Sequence, residues 1–140
     1  MYATPHEAIV ACPPPSGHLG LALPDGTRPV RVTEALTALA PFLTREPVTV
    51  IGLGLHRPMR AEELVESPFL LRQHDPDDCI GLGEVDGVPA GISRHFDGLE
   101  TLIGIGVVEL HQYAGFSGGQ KAVAVGCGSR ATLDALHHRD

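Results

Sequence analysis

Residues 48–53, VTVIGL, constrain the fold of this 140-residue chain more than any other segment. Pro47 opens the run, β-branched residues dominate it, and Gly52, Gly54, His56 and Pro58 follow at once. A short apolar run bounded in this way reads as a strand buried on both faces, the habit of parallel sheets covered by helices. The neighbouring pattern agrees. Over residues 31–43, apolar side chains fall at Val32, Ala35, Leu36, Leu39, Ala40 and Leu43, the spacing of an amphipathic helix, with Thr33 and Glu34 near its start. Residues 18–23 read as a strand ending at the turn Pro24-Asp25-Gly26, and residues 99–108 as a further strand. Residues 80–95 suggest a hairpin or twisted ribbon, and residues 129–138 a terminal helix. Residues 8–12, stopped by three prolines, read as a strand with a stiff exit. Residues 61–71 read as a second short helix, with Glu62 and Glu63 in its first turn. Strands interleaved with helices predict an α/β layered fold, a mostly parallel sheet with helices packed on it, in one domain over residues 1–140.

Composition narrows the function. Hydrophobic content is 43% with only 4% aromatics, so the core is mostly Val, Leu, Ile and Ala. Net charge is −7, and Lys121 stands alone beside nine scattered arginines. No basic face is visible, which argues against a nucleic-acid partner. Cys12, Cys79 and Cys127 are odd in number and widely spaced, against a disulfide scaffold and in keeping with a reducing compartment. Neither a signal peptide nor an apolar run of about 20 residues is present, so the expectation is a soluble, cytoplasmic protein with no membrane partner.

Three candidate groups follow predicted strands: Asp25 to Arg28, His56 to Pro58, and the run HQYAGFSGGQK from His111 to Lys121. In open α/β sheets ligands bind beyond the carboxyl ends of the strands, so these groups are expected to share a cleft. The glycines around Ser117, Gly118 and Gly119 allow backbone N–H groups to approach a ligand. The same residues equally describe a tight turn opening a strand, with Lys121 solvated. A phosphate loop is rejected, because Gln120 precedes Lys121 and Ala122 follows it. A dinucleotide fingerprint fails too, since Arg57 occupies the place of its third glycine. A zinc site from His56, His111, His137 and a cysteine is open by residue type, although no spacing selects it.

Taken together, DGTRP (25–29), GLHRPM (54–59), HQYAGFSGGQK (111–121) and His137 resemble the lactate racemase family, specifically the N-terminal domain of the nickel-pincer nucleotide enzymes that racemise or epimerise 2-hydroxy acids. The similarity runs from about Asp25 to the C-terminus. It implies that Lys121 is joined covalently, through a thioamide, to a pyridinium-derived mononucleotide carrying nickel, and that His137 ligates the metal. It implies His56 and His111 as acid and base, and Asp25, Thr27, Ser117, Gly118 and Gly119 at the cofactor. Arg28 is implied to hold the substrate carboxylate. Leu110 and Val125 depart from the family, which commonly has proline at both places. The family's second, cleft-closing domain is not in the 140 residues. The expected partners are therefore a small 2-hydroxy acid and either a separate chain supplying that domain or a second copy in a homo-oligomer. The alternatives are a non-catalytic module that binds or carries the cofactor, and a simple divalent-metal protein using His56, His111 and His137.

Overall fold

The computed structural model describes residues 4–27, 30–111 and 115–137. Along the chain come α1 (Pro5–Ala11), β1 (Leu19–Pro24), α2 (Val32–Leu39), β2 (Val48–Gly52) and β3 (Leu71–Gln73). The ribbon strands β4 (Cys79–Val85) and β5 (Val88–Ser93) follow, then β6 (Thr101–Gly104). The short hairpin β7 (Leu110–His111) and β8 (Gly115–Phe116) leads into α3 (Gly119–Lys121). This helix widens into a π-helical stretch over Ala122–Gly126, and α4 (Arg130–His137) ends the described chain. Among the described residues no helix is long and apolar enough to cross a membrane.

The central sheet is parallel, in the order β3–β2–β1–β6. Its middle strand is buried from Leu19 to Leu23. Alternation along a strand sends successive side chains to opposite faces. Accordingly Leu21, Leu23 and Ile51 pack against Val32, Leu36 and Leu39 of α2. On the other face, Ala22 and Val50 meet Ile92, Phe96, Ala122 and Cys127. Each large aliphatic side chain removed from water this way contributes about 1.5–3 kcal/mol. The α/β class and the mostly parallel sheet agree with the reading of residues 48–53, as do α2, the β4–β5 ribbon and the terminal helix.

Two segments differ from expectation. Residues 8–11 belong not to a strand but to α1, which Cys12 caps. The Thr4 side chain accepts a hydrogen bond from the Glu7 amide (3.2 Å), and Pro5 occupies the first helical turn. Both are helix-start signals that outweigh a short apolar run. Residues 61–71 hold only a 3₁₀ turn, Ala61–Glu63, and then extend into β3. Pro68 lacks an amide donor, and the Ser67 hydroxyl bonds the Phe69 amide at 3.0 Å, so a turn replaces the helix. The extended chain then pairs with β2, Thr49 opposite Leu71.

Topology locates the crevice. From β1 the chain passes through α2 to β2 and on to β3, whereas β6 lies on the other side of β1. Connections leaving the carboxyl ends of β1 and β6 therefore diverge, the switch point at which open α/β sheets bind ligands.

Candidate functional site

A cavity of about 390 Å³ opens at that switch point, within the roughly 300–1,000 Å³ of small-molecule sites. Its wall includes Pro24 and Asp25 at the end of β1, Gly52 to His56 at the end of β2, and Gly106 and Val107 after β6. His111, Ser117, Gly118 and Lys121 line it from the glycine segment, and His137 from α4.

His56 is presented by a tight turn. Gly54 takes a left-handed φ of +56°, and the His56 amide donates to the Leu53 carbonyl at 2.9 Å. The ring Nδ1 then pairs with the Asp25 carboxylate. Asp25 is nearly buried, with a side chain only 9% exposed, whereas that of His56 is 61% exposed. A carboxylate only accepts, so Nδ1 carries the proton and Nε2 the lone pair of the neutral ring. Burial on its own raises the Asp25 carboxyl. Hydrogen bonds from Thr27 (hydroxyl 2.5 Å, amide 3.2 Å) and from His56 outweigh that and hold it below the ordinary carboxylate value.

The loop beyond His56 is fastened twice. Gln73, the last residue of β3, accepts from the Met59 amide (2.6 Å) and donates to the Met59 carbonyl (2.9 Å), extending the sheet by a side chain. Glu63 accepts a two-point pair from Arg57 (2.7 and 2.8 Å) and a bond from the Arg60 amide (2.7 Å). The Arg57 guanidinium holds the Glu63 carboxyl well below the usual range. Sequence reading treated Glu63 as a helix-start charge and passed over Gln73. The available signal was the basic pair Arg57 and Arg60 just before the acidic residues.

The glycine segment is built differently. Ser117 is buried, and its hydroxyl donates to the Val107 carbonyl (2.7 Å) and accepts from the Glu109 amide (3.2 Å). Gly118 follows at φ +145°, a conformation reserved for glycine. A Cβ on Gly106 would press on Gly118, one on Gly104 would clash with the Gly119 carbonyl, and one on Gly52 would stand 2.8 Å from the Gly126 backbone. Three glycine pairs thus seat the start and end of the α3–π helix directly on strand ends. The segment opens a helix rather than a strand. Lys121, in the first turn, lies with Nζ 2.8 Å from His111 Nε2 on the hairpin.

His137 closes α4, which Arg130 ties to Asp77 (2.5 and 2.6 Å). Its Nδ1–H donates to the Leu133 carbonyl at 2.7 Å, leaving the lone pair on Nε2.

Of the residues singled out in the sequence, His56, His111, Lys121, His137, Asp25, Ser117 and Gly118 share the cavity wall. Gly119 packs against Gly104, and Thr27 bonds Asp25. Arg28 lies outside the described residues. Among the described residues, no three His, Cys, Asp or Glu side chains gather as a metal site, and no cysteine lines the cavity.

Fold and site together define a parallel α/β domain with a histidine- and lysine-lined switch-point cavity. The model of the lactate racemase N-terminal domain matches residues 6–139, and the chain belongs to that family. It is 31% identical over 99 residues to the lactate racemase of Lactiplantibacillus plantarum, an alignment covering 63% of this chain and 23% of that protein. The lactate racemase apoprotein from Thermoanaerobacterium thermosaccharolyticum shares the fold, with a TM-score of 0.73 at 21% identity over 90% of this chain. A crystal structure of a protein from Thermotoga maritima superposes with a TM-score of 0.70 at 21% identity over 94% of this chain. The chain spans 37% and 39% of those two solved chains and under a quarter of the curated relative.

Proposed function

We propose that the cavity holds a nickel-carrying pyridinium nucleotide joined to Lys121, and that the domain takes part in racemising or epimerising a 2-hydroxy acid such as lactate. One observation carries this reading: four separate segments bring His56, His111, Lys121 and His137 to one cavity. The donor set fits the group. The single lysine of the chain supplies the attachment amine, and His137 offers an imidazole nitrogen whose ring is oriented by the Leu133 carbonyl, the usual support of a metal-binding histidine. Gly118 exposes backbone at the wall for the nucleotide, while Ser117 holds the loop.

When bound, the group supplies an electrophilic ring and a metal for hydride exchange at the substrate's carbinol carbon. The residues do the rest. His56 Nε2 accepts the substrate hydroxyl proton, and Asp25 stabilises the imidazolium that forms. His111 exchanges a proton on the other side, so that either configuration can be made. Arg28 holds the substrate carboxylate by charge-assisted hydrogen bonds. The relatives extend well beyond the matched region, and the domain proposed to close the cleft over this cavity lies in that additional length.

The test is the intact mass of the protein coexpressed with cofactor-synthesis enzymes and nickel, beside Lys121→Ala. A nucleotide-sized adduct present in the wild type and absent from the variant is the expected result. An unmodified wild type, under conditions that load a full-length relative, overturns the reading. An adduct without turnover of any 2-hydroxy acid, even with the second domain supplied, leaves a carrier module.

A further inference from the structure

The geometry points to a second role for His111: its Nε2 is the base that frees Lys121 of its proton, making Lys121 a self-activating acylation site. This rests on the reading that Lys121 carries a covalent group, and it names the residue that makes the attachment possible. The observation is the 2.8 Å contact between Lys121 Nζ and His111 Nε2, in a part-buried setting on the cavity wall.

The direction of that hydrogen bond follows from the groups. An ammonium has donors and no acceptor, so His111 Nε2 presents its lone pair to Lys121. An ammonium cannot attack a carbonyl carbon. As the neutral amine bonds to an acyl or thioacyl carbon, its nitrogen becomes positive and must shed a proton. A neutral imidazole already in contact is suited to take it. For an O-ester of the acyl or thioacyl group the balance is complete: the N–C bond forms, the C–O bond to the leaving group breaks, and the leaving group departs with the electron pair. The N–H proton passes to Nε2 and then to solvent.

Placement in the fold supports a dedicated pair. His111 sits opposite Gly115 in the β7–β8 hairpin, and Lys121 sits in the first turn of α3, which Gly118 and Gly119 seat on the strand ends. The two side chains are thus set by separate anchored elements. Once Lys121 is acylated it loses its charge and two of its three donors. His111 Nε2 is then released toward the cavity, where the proposed turnover needs it. One imidazole serves loading first and substrate afterwards.

The test uses 4-nitrophenyl acetate, with acetylation located by peptide mass spectrometry. Lys121 is the only lysine, and the α-amino group serves as an internal reference in the same molecule. His111→Gln keeps a hydrogen-bond acceptor but removes the basic nitrogen. General bases typically contribute about 10²–10⁴-fold, so the Lys121 rate relative to the α-amine is expected to fall by at least about tenfold in His111→Gln. Added imidazole is expected to restore it in His111→Ala. Equal relative rates in wild type and His111→Gln overturn the proposal. So does loss without imidazole rescue, which assigns His111 a structural role. Failure of the cofactor reading is separate: no nucleotide adduct in the coexpression test, with acetylation still dependent on His111, removes the nucleotide and keeps the base.

Discussion

The two walls of the cavity are held by different forces. On the β1–β2 side, His56 is positioned by side-chain polar contacts: the Asp25 carboxylate, the Arg57–Glu63 pair and the Gln73–Met59 bonds. Lys121 is positioned by backbone resting on backbone, at Gly104–Gly119 and Gly106–Gly118 on the β6 side and at Gly52–Gly126 where the far end of its helix meets the end of β2. The first wall is polar and partly wet, so its contacts answer to pH and salt. The second is a steric fit, whose glycine contacts carry no charge and are intolerant of a single methyl group. A site that must hold a covalent anchor still while moving protons opposite it is well served by that division.

The steepest way to break the comparison is Gly104→Ala. The new methyl meets the Gly119 carbonyl, a backbone atom that cannot swing aside, so a loss on the order of 3 kcal/mol is expected in urea unfolding. Unchanged unfolding would show that the helix start can lift off β6.

A second effect comes from His74, which joins the steric wall to β3. It is 3% exposed, its Nε2 bonds the Gly128 carbonyl at 2.9 Å, and its Nδ1 has no hydrogen-bond partner among the described residues. Burial pushes its pKa below the ordinary 6.5 despite the Gly128 bond. Below 6.5 the unfolded chain therefore binds the proton more readily than the folded one. Stability is fully present above 6.5 and falls as pH drops toward the folded value. His74→Leu should flatten that slope, read by thermal melting between pH 7 and pH 5 (about 6.5 being the ordinary histidine value).

Asp25→Asn sharpens the contrast on the polar wall with a smaller effect. The Asp25 carboxyl lies below its ordinary 3.8, so its contribution is present above that value and lost as pH falls through the lower folded one. The variant should lose this acid-limb dependence in melting curves while keeping the stability of the glycine wall. An identical acid limb in both proteins would mean that the His56 contact does not persist in solution.

Smallest is Glu63→Gln. Its partners Arg57 and Arg60 are well exposed, and exposed pairs contribute little. The melting temperature should barely move, and raising salt should erase the small difference between wild type and variant. A large, salt-independent loss would make the 56–63 loop a rigid part of the fold.

Much of this was legible in the chain. Periodicity along residues 31–43 and the apolar run at residues 48–53 encode which faces are buried, because burial acts on each element's local pattern. The position of His56 just beyond β2, and that of Lys121 directly after the glycines, were also legible. Local capping at Thr4 and Pro5 was also in the sequence, but a strand-like run obscured it. Nor did residues 61–71 declare themselves, since the Pro68 break shows there while the pairing of β3 with β2 does not.

What the sequence by itself determined is the set of chemical groups and the α/β frame that carries them. Only the tertiary structure decided who meets whom. Asp25 reaches His56 across 31 residues and His111 reaches Lys121 across 10, contacts that exist because β1, β2 and β6 lie side by side. The glycines show the same limit. Along the chain, SGG looks like a loop opened for a ligand, and Gly52 and Gly104 look like strand punctuation. In space, most of that freedom is taken up by backbone contact, because the missing Cβ matters only where a second backbone comes close enough to use the gap.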